Sequence, residues 1–196
     1  MVVSGCFPVL ADFYEHQALS RGIGAEVRVD HPWYALQVRP RYEKVVAWSL
    51  RSRGYSDFLP AYCCTRRWSD RIQKLALPLF PGYVFCRFDI NKRLPILTIP
   101  GVKRIVGMGK LPHPVEENEI AALQVVVSSG LLLKPWPFVR VGQRVRIQDG
   151  PLRNVEGILS EIGDRGQLIV SITLLQRSVA VTIDRGWIRP ISSTAD

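Results

Sequence analysis

The chain has 196 residues, 47% of them hydrophobic and 22% charged, with a formal net charge of +9. That length supports one or two domains with cores of their own, and the composition excludes global disorder. The charge is uneven: residues 1–31 carry a net −2, residues 32–134 a net +9 and residues 135–196 a net +2. A basic middle segment fits an acidic partner such as nucleic acid, against the bland alternative of a solvated basic face.

Other function classes are excluded by what the sequence lacks. No apolar run approaches the ~20 residues of a membrane-spanning helix. Asp12 and Glu15 interrupt the amino-terminal apolar stretch, which has no basic start, so no signal peptide is expected. The four cysteines, Cys6, Cys63, Cys64 and Cys86, form no C-x-x-C pair. Neighbours such as Cys63 and Cys64 point to opposite faces of a strand, so unpaired thiols in a reducing, cytoplasmic compartment are expected. His16, His31 and His113 sit in different segments without metal-ligand spacing, and no phosphate-binding glycine loop is present. The expectation is a protein that is not an enzyme, with no catalytic residue, metal or cofactor.

Residues 1–31 have no clear period and read as an extension. Trp33–Val38 is rich in β-formers and predicts a strand. Arg41–Arg53 predicts a helix whose buried face is Tyr42, Val45, Val46 and Leu50, with Pro40 in its first turn and Gly54 at its end. Phe58–Cys64 predicts a second strand, and the basic stretch Thr65–Lys74 a hairpin arm. Pro78 and Pro81 frame Leu79–Phe80, with strands expected at Tyr83–Phe88 and Val102–Val106. Glu116–Ser129 predicts a second helix, with acids in its first turn and Gly130 as its stop. This order argues for an α+β fold, a sandwich of helices on an antiparallel sheet.

Pro135 and Pro137 stiffen residues 131–138, which are expected to link domains 32–130 and 139–196. Beyond them Val145 and Ile147 alternate with Arg144, Arg146 and Gln148, and Val179, Val181 and Ile183 alternate with Ser178, Ala180 and Thr182. Short strands punctuated by glycines predict a small carboxy-terminal β-barrel rather than helices.

Three ordered stretches resemble the NusG family of transcription elongation factors. They are Trp33-Tyr34-Ala35-Leu36 with the helix after it, Pro78-Leu79-Phe80-Pro81-Gly82-Tyr83-Val84-Phe85, and Val141-Gly142-Gln143-Arg144-Val145-Arg146-Ile147 leading to Gly150-Pro151-Leu152 and Glu156-Gly157. In the family the first two belong to the amino-terminal domain and the third opens the KOW barrel. Leu174-Leu175-Gln176-Arg177-Ser178-Val179 stands where a general NusG tends to show Phe-Gly-Arg. With Pro78-Leu79-Phe80-Pro81 it resembles the specialised paralogues, the RfaH and polysaccharide-operon antiterminator group, and speaks against a Rho-binding role.

The resemblance implies an elongation or antitermination factor that holds RNA polymerase through its amino-terminal domain, suppresses pausing and recruits partners through the KOW domain. The residues it places at the polymerase are Tyr34, Phe58, Phe80, Pro81 and Tyr83, with at least one of Phe80 and Tyr83 at the surface and Trp33 in the core. Arg39, Arg41 and Lys44 at the first helix, with Arg66, Arg67, Arg71 and Lys74 in the hairpin arm, form the basic set for phosphates. The resemblance makes that ligand the non-template single strand of DNA. It also offers Leu174 and Leu175 as the apolar edge for the ribosomal protein also known as NusE, in a factor expected to act as a monomer. The competing reading is a ribosome-associated KOW-domain RNA-binding protein.

Overall fold

The computed structural model describes residues 31–68, 71–109, 111–136, 143–162, 165–184 and 187–190. They form two compact units, one ending at Glu117 and the other beginning at Asn118.

The first unit is built on a four-stranded antiparallel sheet of β1 (Trp33–Val38), β2 (Ser56–Phe58), β5 (Tyr83–Arg87) and β6 (Val102–Ile105), in the order β2-β5-β1-β6. β1 is central and buried on both faces, which its run of apolar residues permits. Tyr34, Leu36 and Val38 lie on one face, with Val84 and Cys86 of β5. Helix α1 (Glu43–Ser52) covers that face with Val46, Ala47 and Leu50, and the short helix α2 (Leu94–Leu97) adds Ile96. The opposite face is aromatic. Trp33 meets Phe58 edge-on at 6.5 Å, Phe58 lies 6.2 Å from Phe85, and Phe80 stands perpendicular to Phe85 at 5.9 Å.

Three expectations change in detail. The strand expected over Phe58–Cys64 is broken at Leu59-Pro60 into β2 and β3 (Ala61–Trp68). Pro60 has no N–H for a ladder, and its carbonyl instead accepts from the Leu79 N–H at 2.8 Å. β3 pairs with β4 (Arg71–Pro78) from Ala61↔Pro78 to Trp68↔Arg71, so the hairpin arm is longer than Thr65–Lys74. The helix expected over Arg41–Arg53 turns a different face inward: Val46 and Leu50 are buried as expected, but Tyr42 and Val45 are exposed. Glu43 and Ala47 take their place. Beyond β6, a small hairpin pairs β7 (Gly107–Met108) with β8 (Leu111–Pro112).

Helix α3 (Glu117–Ser128) matches the expected second helix within two residues and buries Ile120, Leu123, Val126 and Val127. In the second unit six antiparallel strands follow it: β9 (Leu133–Trp136), β10 (Gln143–Ile147), β11 (Glu156–Ile162), β12 (Arg165–Ile172), β13 (Arg177–Ile183) and β14 (Ile188–Pro190). The order is β14-β10-β11-β12-β13-β9. The expected closed barrel is therefore seen as an open six-stranded sheet, because no pairing joins β14 to β9 among the described residues. β9 falls inside the expected linker; its Pro135 is tolerated because β9 is an edge strand. The predicted alternation holds in β10, with Val145 and Ile147 buried and Arg144 and Arg146 exposed. In β13 the alternation does not hold: Val179, Val181 and Ile183 are buried, but so are Ala180 and Ser178, whose hydroxyl lies 2.7 Å from that of Ser171.

Cys64 and Cys86 carry free thiols. Cys63 is disulfide-bonded, against the expectation of unpaired thiols throughout.

Candidate functional site

The Pro78–Tyr83 segment is a turn locked by its own backbone. The Tyr83 N–H donates to the Phe80 carbonyl at 3.1 Å, and the Val38 N–H to the Gly82 carbonyl at 2.8 Å. Gly82 has φ +83, a conformation that residues with a Cβ resist. Its N–H donates to Glu43 Oε1 at 2.8 Å, tying α1 to the turn.

This turn separates the expected polymerase contacts. Phe80 is 1% exposed and Phe58 5%, both within the aromatic layer. Tyr34 is buried on the opposite face, its ring 4.9 Å from Phe88. Burial and, secondarily, the charge of Asp89 push its phenol pKa up. These three are core residues, since each brings a large ring that the sheet needs. Pro81 is exposed and Tyr83 half-buried, so the turn offers those two to the surface.

The basic set divides as well. The Arg39–Tyr42 turn precedes α1, with the Tyr42 N–H donating to the Arg39 carbonyl at 3.1 Å and the Arg39 N–H to Gly101 at 2.8 Å. Arg41 takes φ +69 there. Arg39, Arg41 and Lys44 are all exposed and gather at this end of α1. Lys103 and Arg104 on β6 are exposed too, and Arg104 Nε donates to Gln37 Oε1 at 2.8 Å across the β1–β6 pair. The sequence reading missed them; a Lys-Arg pair in a short strand beside the Pro100–Gly101 turn was the available signal. Lys74 is half-buried and faces Thr65 in the β3–β4 register. The side chains of Arg66, Arg67 and Arg71 lie outside the described residues.

Arg51 and Asp57 form a bidentate pair at 3.1 and 2.9 Å, the carboxylate almost wholly buried. Burial raises the Asp57 pKa, and the Arg51 hydrogen bond and charge oppose it without overcoming it. Cys86, cross-strand from Asp57, has its thiol pushed far up by burial and then by the Asp57 charge, which leaves it an inert core group. Among the described residues no group of three or more His, Cys, Asp or Glu is placed to hold a metal ion, and no helix is long and apolar enough to cross a membrane.

In the second unit Leu174 and Leu175 lie in the single 3-10 turn Thr173–Leu175; Leu175 is buried and Leu174 half-buried. Gln176 follows with φ +51, and Asn154 has φ +67 in the β10–β11 connection.

Comparison with known proteins gives these surfaces a context. Residues 31–124 match the family model described as transcription termination factor nusG. The transcription termination/antitermination protein NusG of Thermus thermophilus is 33% identical over 175 residues, covering 78% of this chain and 94% of that protein. The chain belongs to the NusG family. The NusG of Campylobacter jejuni is 28% identical over 167 residues, with 78% and 93% covered. A solved structure of Thermotoga maritima NusG, concerned with domain interaction, shares the fold with a TM-score of 0.51 at 21% identity, covering 82% of this chain and 97% of that one. The NusG family consists of transcription factors.

Proposed function

We propose that this NusG-family chain is a transcription elongation and antitermination factor that binds RNA polymerase through residues 32–130 and suppresses pausing. The observation that carries this is the match to a NusG protein over 94% of that protein's length. The family match over residues 31–124 favours it over the ribosome-associated reading, because ribosomal KOW proteins do not need that domain. Pro81 and Tyr83 supply the exposed part of the polymerase contact, over a rigid layer formed by Phe58 and Phe80. Arg39, Arg41 and Lys44, with the arm residues Arg66, Arg67, Arg71 and Lys74, hold the non-template strand.

The factor acts by binding energy that favours the pause-free conformation of the polymerase, with no bond chemistry. We assign it to the specialised paralogues on the Leu174–Arg177 departure, which supports a NusE-type contact through Leu174 and Leu175 and disfavours Rho. Residues 139–196 then serve as the partner-recruiting KOW domain, with β9 completing its sheet, in a cytoplasmic monomer. Purified protein is expected to bind core polymerase and shorten pauses in single-round elongation. Failure to bind at physiological salt overturns the proposal.

A further inference from the structure

We propose that residues 1–31 are an acidic cover for the basic β3–β4 arm, fastened by a disulfide between Cys6 and Cys63 and released when that bond is reduced. The consequence for nucleic acid rests on the function proposed above.

Cys63 is disulfide-bonded, whereas Cys64 and Cys86 carry free thiols. The chain has four cysteines, so within one molecule the partner of Cys63 is Cys6. Cys63 is half-buried in β3 and stands directly across from Ala76 of β4. So small a neighbour leaves room beside the sulfur for a second stretch of chain. Cys64 belongs to the opposite face of the ribbon, and Cys86 is buried in the core under α1. Beyond β3 and β4 the arm pairs with no further strand among the described residues.

Charge complementarity names the occupant. Residues 65–74 carry Arg66, Arg67, Arg71 and Lys74 against Asp70, a net +3. Residues 1–20 carry Asp12 and Glu15 and no lysine or arginine. Chain length allows the two to meet. Asp12 is six residues from Cys6, a reach of up to about 20 Å. The end of the ladder, Trp68↔Arg71, is five residues beyond Cys63, or about 17 Å along the strand. The family match begins at residue 31, so the extension is an addition to the family domain. Exposed ion pairs are individually weak, and an untethered extension leaves the arm. The covalent tether raises the local concentration of the acids to the millimolar range, about what weak pairs need.

In a reducing compartment such a bond is a switch rather than a permanent staple. Reduction is a two-electron step. A dithiol reductant breaks the S–S bond, Cys6 and Cys63 each gain a proton as thiols, and the reductant becomes its own disulfide. The freed extension then uncovers the arm for phosphates.

The test begins with peptide mapping of the full chain purified under air. Cys6 is expected in a linked pair with the Cys63–Cys64 peptide, retained in Cys64→Ser and lost in Cys63→Ser. A free Cys6, or Cys63 joined to a second chain, overturns the proposal. The cover itself is read without DNA or polymerase, by the rate of trypsin cleavage after Arg66, Arg67 and Arg71. Cleavage is expected to be slow in the oxidised parent and faster once dithiothreitol is added, a comparison that needs no substitution. Cys6→Ser is expected to match the reduced parent with or without reductant. The double variant Asp12→Asn, Glu15→Gln keeps the disulfide and is expected to be cleaved as fast as the reduced parent. Equal rates in oxidised and reduced parent, or slow cleavage of the double variant, overturn the proposal. Anisotropy of a labelled single-stranded DNA follows the consequence. At pH 7 the thiols are neutral, so both redox forms carry the same formal charge. Uncovering two cations is expected to steepen the salt dependence of binding by about 1.4, two phosphates at about 0.7 each. An unchanged slope, or no DNA binding, with the cleavage difference intact supports the cover and counts against the nucleic-acid role of the arm.

Discussion

Glu43 accepts a hydrogen bond from the Gly82 N–H at 2.8 Å, so a buried carboxylate on α1 holds the turn that presents Pro81 and Tyr83. Removing it leaves a backbone donor without its acceptor and loosens the turn. Glu43→Ala is expected to cost about 1–3 kcal/mol, the range for a hydrogen bond to a charged group whose partner is then left unsatisfied. Glu43→Gln, which keeps the acceptor, is expected to lose less than half of that. Urea midpoints of the two variants check the ranking, and equal losses contradict the assigned role.

Phe80 and Tyr83 are three residues apart, but Phe80 is buried in the aromatic layer and Tyr83 is half-buried at its edge. Phe80→Ala removes a ring that is 1% exposed and perpendicular to Phe85, and is expected to destabilise by about 3–5 kcal/mol. Tyr83→Ala, at a half-buried position, is expected to cost clearly less stability and to weaken core-polymerase binding at a temperature where both proteins are folded. Polymerase pull-down alongside thermal melts separates the two effects. A Tyr83→Ala protein with unchanged polymerase affinity removes Tyr83 from the proposed contact.

Much of this organisation was legible in the chain. The first helix, the second helix and the alternating strand β10 are found within a few residues of their expected places, because their periodicities are strong. Errors arose where a local pattern had two solutions. On α1, Val45-Val46-Ala47-Trp48 offers apolar residues around much of the helix, and the sequence does not say which side meets the sheet. The sheet selects Val46, Ala47 and Leu50, leaving Val45 and Trp48 outside. Proline has a similar ambiguity: Pro135 fits a linker but sits in β9, an edge strand paired on one side only, where a residue without an N–H is tolerated. The resemblance groups the candidate aromatics together, whereas strand alternation sends Tyr34 to one face and Phe58 and Phe85 to the other.

Asp57 links stability to pH with a definite sign. Its folded-state pKa is raised above the ordinary 3.8 by burial, with Arg51 compensating only in part. The folded protein therefore holds this proton more tightly than the unfolded chain does. The stability that Asp57 contributes is fully present below the unfolded pKa and is lost as pH rises through the folded value. Asp57→Asn does not titrate, so the stability of the parent relative to the variant is expected to grow as pH falls from neutral into the weakly acidic range. Denaturant midpoints of both proteins across that range are the measurement. A parent advantage that shrinks on acidification means that Arg51, not burial, dominates the site.

Two glycines of the second unit are expected to tolerate no side chain, for different reasons. A Cβ on Gly157 falls 2.5 Å from the Ile169 carbonyl oxygen and 2.9 Å from Leu168 Cδ1. Ile169 is paired with Ile158, the next residue of β11, so the obstacle is the neighbouring strand's backbone and cannot step aside alone. Gly157→Ala is expected to cost about 1–3 kcal/mol through overpacking. Gly150 combines φ +79 with the Trp187 ring 2.9 Å from its Cβ position. Gly150→Ala adds a left-handed penalty of about 1–2 kcal/mol to that clash. Gly150→Asn tolerates the backbone angle but not the ring, so it is expected to remain destabilised. Asn154, with φ +67, supplies the control, since Asn154→Gly keeps its backbone geometry and is expected to be nearly neutral. Thermal melts of the four variants check the order. If Gly150→Asn is as stable as the parent, backbone conformation alone explains Gly150 and the contact with Trp187 plays no part.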